Sequence, residues 1–294
     1  MGAAVALTLA FVVVEAVSGW LAHSLALLSD AGHNLADAAA LGFSWYALSL
    51  ARKPSHHRMT FGYHRVAVFA ALANALSLVA IALLIGWEAI SRIREPEVAS
   101  GPVMIGVAAA GIVVNSLIGL WLHKDSKHDL NIRSAYLHMI GDAVSAAGVV
   151  VAGILVVAFG APLADPVVSL LIAGLILYSS YGVLRESATV LLEGTPAWMD
   201  MPAVIAAIKS VAGVLDVHDL HVWMVGPGVV ACSCHILVAE QSIREGQQVL
   251  RAVVHDIEHR FHITHTTVQV EVEGCEVDDM YCTGQRSYTA PHRS

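Results

Sequence analysis

Long apolar stretches alternate with short polar ones through the first two thirds of the chain, and the rhythm then changes. The apolar runs cover approximately residues 3–22, 25–50, 66–92, 102–123, 132–160 and 163–190. Each reaches or exceeds the roughly 20 residues that a helix needs to cross a hydrocarbon core of about 30 Å. The pattern predicts six membrane-spanning helices. The first run starts almost at Met1, as a secretory signal would. It has no basic segment before it, carries Glu15 and is followed at once by another run, so it reads as a span.

Beyond about residue 195 the periods are those of a small water-exposed domain. Asp200–Val211 predicts a helix with Pro202 near its first turn. Val214–Val225 and Val229–Ala239 predict strands on either side of Gly226-Pro227-Gly228, a hairpin signal. Ser242–Arg260 has an amphipathic helical period, and Thr264–Glu273 alternates as a third strand. The order α-β-β-α-β suits a two-layer α+β domain of about 80 residues. The expected fold class is therefore an all-α membrane domain of six helices at 1–192, followed by a small α+β domain at 193–274. Residues 275–294 read as a disordered tail.

Composition strengthens the membrane reading. The chain is 56% hydrophobic and 14% charged, with mean hydropathy +0.66, whereas a soluble domain has about 25% charged residues. The shortfall lies in the apolar two thirds, so it points to lipid. The net charge of −8 comes mostly from residues after Glu193, and no long basic run exists, which argues against nucleic acid as a partner. The four cysteines, Cys232, Cys234, Cys275 and Cys282, do not form a secreted disulfide pattern and read as reduced thiols.

Loop charges set an orientation. Arg52, Lys53, Arg58 and Arg65 follow the second span, and Lys124, Lys127 and Arg133 lie between the fourth and fifth. Segments 23–24 and 161–162 have no Lys or Arg, and Arg94 in the remaining loop stands beside Glu95 and Glu97. Positive charge inside places both termini in the cytoplasm.

An ionisable group at the centre of a span costs about 2.5–3.5 kcal/mol on insertion scales, so each needs a reason. The second span holds Asp30, His33 and Asp37, and the fifth holds His138 and Asp142. Both contain His-x-x-x-Asp, and residues four apart stack on one helix face. Two such helices face to face offer two imidazoles and two carboxylates, a full tetrahedral shell for zinc. One pair alone is equally a structural ion pair or a proton relay; two at identical spacing favour metal. Asp30 reads as an entrance or helix-end group, and Glu15, Asn74 and Asn115 as interhelical hydrogen-bonding residues. Metal and protons compete for the same ligands, which leads to zinc/proton antiport as the expected activity. An intramembrane metalloenzyme would use such an ion to activate water, but there is no His-Glu-x-x-His and the four ligands leave no open position. A passive metal channel or a metal sensor differs from the antiporter only in its driving force.

These residues resemble the cation diffusion facilitator family, in its zinc-transporting branch. The likeness spans almost the whole chain. It includes Leu27-Leu-Ser-Asp30-Ala-Gly-His33, Thr60-Phe-Gly-Tyr-His-Arg65 and Val217-His-Asp-Leu-His-Val-Trp223 beside the paired motif. The resemblance implies efflux of divalent metal, zinc with cadmium and cobalt as possible substitutes, by a homodimer in the bacterial inner membrane. It also implies a ferredoxin-like, metallochaperone-like tail domain that binds zinc as a regulatory ligand. The implied transport ligands are His33, Asp37, His138 and Asp142. The implied tail ligands are His218, His235 and Glu271, with His265 a weaker candidate. Cys275 and Cys282 lack the C-x-x-C spacing of some relatives, and His56, His57 and His64 depart from the loop site of others. His221, His255, His259 and His262, with Lys209 and Arg251, read as solvated surface residues; Cys232 and Cys234 read as small buried hydrophobes.

Overall fold

The computed structural model describes residues 2–123 and 130–273. The chain begins with six long helices, α1 (Gly2–Leu21), α2 (Leu25–Ala51), α3 (Arg65–Arg94), α4 (Gly101–His123), α5 (Leu130–Phe159) and α6 (Ala164–Leu191). A helix α7 (Met201–Ser210), strands β1 (Val214–Gly226) and β2 (Val229–Val238), helix α8 (Ile243–Phe261) and strand β3 (His265–Glu271) follow. The chain divides into two compact units. One comprises the residues up to Ser49 with Phe69–Glu186, the other Leu50–Val68 with the residues from Ser187 onward.

The first unit is built inside out relative to a soluble protein. Among the described residues, four helices (in α3, α4, α5 and α6) are long and apolar enough to cross a membrane. Leu83, Leu84, Trp87, Leu120 and Tyr178 point outward and are exposed. In water such a surface would aggregate; against lipid it is matched. The buried side is rich in small residues, including Ala26, Ala82, Ala89, Ala108 and Ala152, which let helices approach closely. Gly153 of α5 and Gly101 of α4 mark a close approach. A methyl group on Gly153 would lie 2.8 Å from Ile105 and 3.0 Å from the Gly101 carbonyl of α4.

Polar groups fix the start of α2. The buried Asp165 of α6 accepts from Ser24 Oγ at 2.6 Å, from the Leu25 amide at 2.8 Å and from the Ala26 amide at 3.2 Å. A carboxylate from another helix thus satisfies the amides that a helix start leaves open, at the end where the dipole favours negative charge.

In the second unit the sheet order is β1-β2-β3, with β1 and β2 antiparallel and β2 and β3 parallel. The parallel pair follows from the crossover through α8. Gly228, at φ 73°, turns the hairpin. Asp200 caps α7, and Ser242 and Glu245 form a reciprocal capping box on α8. Those bonds, from the Ser242 side chain first and its backbone second, hold the Glu245 carboxyl below the usual range. Val204, Ile208, Leu220, Ile236, Val253 and Ile257 fill the core between sheet and helices. Cys232 and Cys234 lie on the same buried strand face. Contact with the Cys234 sulfur, and then burial, push the Cys232 thiol up. The tail 275–294 with Cys275 and Cys282 lies outside the described residues.

Candidate metal centres

Helix α2 carries His33 and Asp37 on one face because they are one turn apart. His33 Nε2 lies 3.3 Å from Asp37 Oδ2 and 3.7 Å from Asp142 Oδ1 of α5. Zinc bonds of about 2.0–2.1 Å place tetrahedral ligand atoms about 3.3 Å apart, so these separations suit donors around one ion. His138 stands one turn before Asp142 on α5; its side chain is outside the described residues. The three described groups line a cavity of about 450 Å³, which Asn74 and Ser145 also border.

Behind this cluster is a polar layer that the sequence pattern only partly locates. Asp30 is buried and accepts from Ser145 Oγ of α5 at 3.0 Å. It makes an interhelical contact from the second turn of α2 to α5. Glu15 is fully buried on α1 and accepts from Asn34 Nδ2 of α2 at 3.2 Å, the interhelical bond expected for it. Asn34 and Ser145 are additions to the expected set. Their signal is their place beside the motif, Asn34 next to His33 and Ser145 three residues beyond Asp142. Asn74 borders the cavity.

The tail cluster stands on the sheet face opposite the helices. Along β2, Cys232, Cys234, Ile236 and Val238 are buried while His235 points to the other side. Strand pairing sets His218 across from His235, and the parallel β3 brings Glu271 beside them. His218 Nε2 is 3.1 Å from Glu271 Oε2, and His235 Nδ1 is 3.1 Å from Glu271 Oε1. Both nitrogens are buried and out of line for hydrogen bonds. Donor atoms of all three residues lie within 4.8 Å of one another. The three residues are therefore close enough to share one cation. Gln269 steadies the carboxylate by donating to Glu271 Oε1 at 2.6 Å.

Other candidates lie elsewhere. His265 packs edge-on against Phe61, with ring centres 5.1 Å apart. His56 bonds Tyr63 Oη at 3.1 Å and meets His57 edge-on. His255 and His259 stack along α8. Lys209, expected to be solvated, makes an ion pair with Asp216 at 2.7 Å. That contact, then the Val217 amide, holds the Asp216 carboxyl below the usual range.

Apolar helices with outward-facing side chains, around a cavity where imidazole and carboxylates converge, have the build of a membrane cation transporter. Comparison with known proteins agrees. Residues 1–192 match the family described as cation efflux transmembrane domain, and residues 196–273 match the cation efflux protein cytoplasmic domain. A cadmium, cobalt and zinc/H(+)-K(+) antiporter of Bacillus subtilis is 41% identical over 92% of this chain and 87% of its own length. Zinc transporter ZitB of Escherichia coli is 37% identical over 93% and 87%. The metal cation efflux system protein CzcD of Cupriavidus metallidurans is 34% identical over 94% and 87%. The chain belongs to the cation efflux family. It is a membrane transporter and not an enzyme.

Proposed function

We propose that this chain exports zinc from the cytoplasm in exchange for protons, with His33, Asp37, His138 and Asp142 as the transport ligands. The observation that carries the reading is the convergence of His33, Asp37 and Asp142 at tetrahedral spacing beside a cavity within the apolar bundle. Two nitrogens and two oxygens suit zinc, and cadmium and cobalt accept similar donors. The name of the Bacillus subtilis relative supports all three metals and proton exchange, and that of the Escherichia coli relative supports zinc. Ligation needs neutral imidazole and ionised carboxylate, so arriving protons occupy the lone pairs that hold the ion and release it. The basic loops support an orientation with both termini in the cytoplasm, and the bacterial relatives support a bacterial inner membrane. The tail domain binds zinc through His218, His235 and Glu271 as a regulatory ligand and pairs two copies of the chain into a homodimer.

Proteoliposomes with an imposed pH gradient test the transport reading. Zinc flux is expected to follow the gradient with proton counterflow, and Asp142→Ala to reduce it to the level of empty vesicles. Flux indifferent to the gradient would remove the antiport mechanism, and full flux in Asp142→Ala would remove the site.

A further inference from the structure

The outer face of β1 has an irregularity with a chemical consequence. Val217, Leu220 and Val222 are buried, whereas His218, Asp219 and His221 are not. Strict alternation from Val217 would turn Asp219 inward. Instead the pairing register shifts between His218 and His221, and Asp219 takes the left-handed conformation at φ 50°. This bulge puts two consecutive side chains, His218 and Asp219, on the same outer face. Aspartate tolerates that backbone better than most residues do.

The Asp219 carboxylate then stands between two imidazoles. Its Oδ1 is 3.1 Å from His221 Nε2, and its Oδ2 is 3.6 Å from His235 Nε2. The other ring nitrogen of His235, Nδ1, is 3.1 Å from Oε1 of Glu271, the carboxylate that His218 also meets. A neutral imidazole that gives its Nδ1 lone pair to a metal carries its proton on Nε2, the atom that faces Asp219. At 3.6 Å the carboxylate is an ionic neighbour of that proton and favours the Nε2–H tautomer and the ring orientation that faces it.

We propose that Asp219 is the positioning residue of the tail metal site. It sets His235 to ligate through Nδ1, and His221 steadies the carboxylate from the solvent side. The inference rests on the reading of His218, His235 and Glu271 as metal ligands. It assigns Asp219 a task that neither its distance from those donors nor its place in the strand would require.

The test uses the full chain in detergent, with Asp142→Ala to silence the membrane cluster, and titrates cobalt(II) by its visible d–d absorption. Asp219→Gly accepts the left-handed backbone and removes the carboxylate. It is expected to weaken cobalt binding about 10–100-fold and to alter the band shape, the usual scale for loss of a partner behind a ligating histidine. Asp219→Asn, which keeps the shape and an acceptor oxygen, is expected to recover part of the affinity. Thermal midpoints without metal establish that each variant folds, and Asp219→Asn carries the test if the glycine variant does not. Parent affinity and spectrum in a folded variant lacking the carboxylate would overturn the assignment. His218→Ala separates the two readings: it is expected to abolish the tail signal, and a persisting signal would overturn the metal site and the role of Asp219 with it.

Discussion

In the first unit, His33 and Asp37 meet because a helix returns to the same face every turn. In the second, His218, His235 and Glu271 meet because three strands lie side by side. The donors are of the same kinds and their spacings are similar, 3.3 and 3.7 Å in one and 3.1 Å twice in the other. What differs is the information needed to assemble them. A helix brings ligands together by local spacing alone. A sheet needs the right partners in the right register, so a slip by one residue would move His235 to the buried face. The packing differs too: the first unit turns large apolar groups outward and small ones inward, and the second does the reverse.

The sharpest way to break this comparison is to remove a ligand. Asp37→Ala is expected to abolish zinc flux in proteoliposomes, since it removes the carboxylate 3.3 Å from His33 Nε2. Equilibrium dialysis should then show His218→Ala losing the tail's share of bound zinc, with the remainder depending on Asp142. Packing comes next. Ile236→Ala, in the tail core, is expected to cost about 2–5 kcal/mol, whereas Leu84→Ala, on the outward face of α3, should stay within about 0.5 kcal/mol. Denaturant midpoints of the two variants give the contrast directly, and equal losses would contradict the inside-out assignment.

A smaller effect isolates one helix end. Ser242→Ala removes the cap of α8 and is expected to cost about 1 kcal/mol in unfolding experiments. The smallest is its pH dependence. Glu245 is held below the unfolded carboxylate value of about 4.3. Its contribution is therefore fully present above that pH and is lost as the pH falls through the folded value. The stability gap between parent and Ser242→Ala should narrow in acid; a gap that widens would mean the carboxylate is not stabilised there.

Much of this architecture is legible in the chain of residues itself. The six apolar runs match the bounds of α1–α6 to within about two residues, because each long helix is written as a mainly apolar run between short polar breaks. Gly226-Pro227-Gly228 marks the hairpin, and Ser242 the start of α8. The transport motif is visible because both of its partners sit on one helix turn. Glu271 cannot be paired with His218 by spacing, since they are 53 positions apart; only family resemblance brings it forward. The bulge at Asp219, the Asp30–Ser145 contact and the cap from Asp165 are hidden for the same reason. Each depends on what a second element places nearby, and no local period encodes that.

The cap from Asp165 gives α2 a fixed end. Its first turn is tied to α6, while His33 lies about 12 Å along the axis and Ala51 about 39 Å, at 1.5 Å per residue. A rod held at one end behaves as a lever. A swing of about 10° about Leu25 would carry His33 by about 2 Å, enough to part it from Asp142, and the far end by about 7 Å. A small tilt at the anchored end would thus be magnified along the helix, with the His33 turn travelling less than a third as far as its tip.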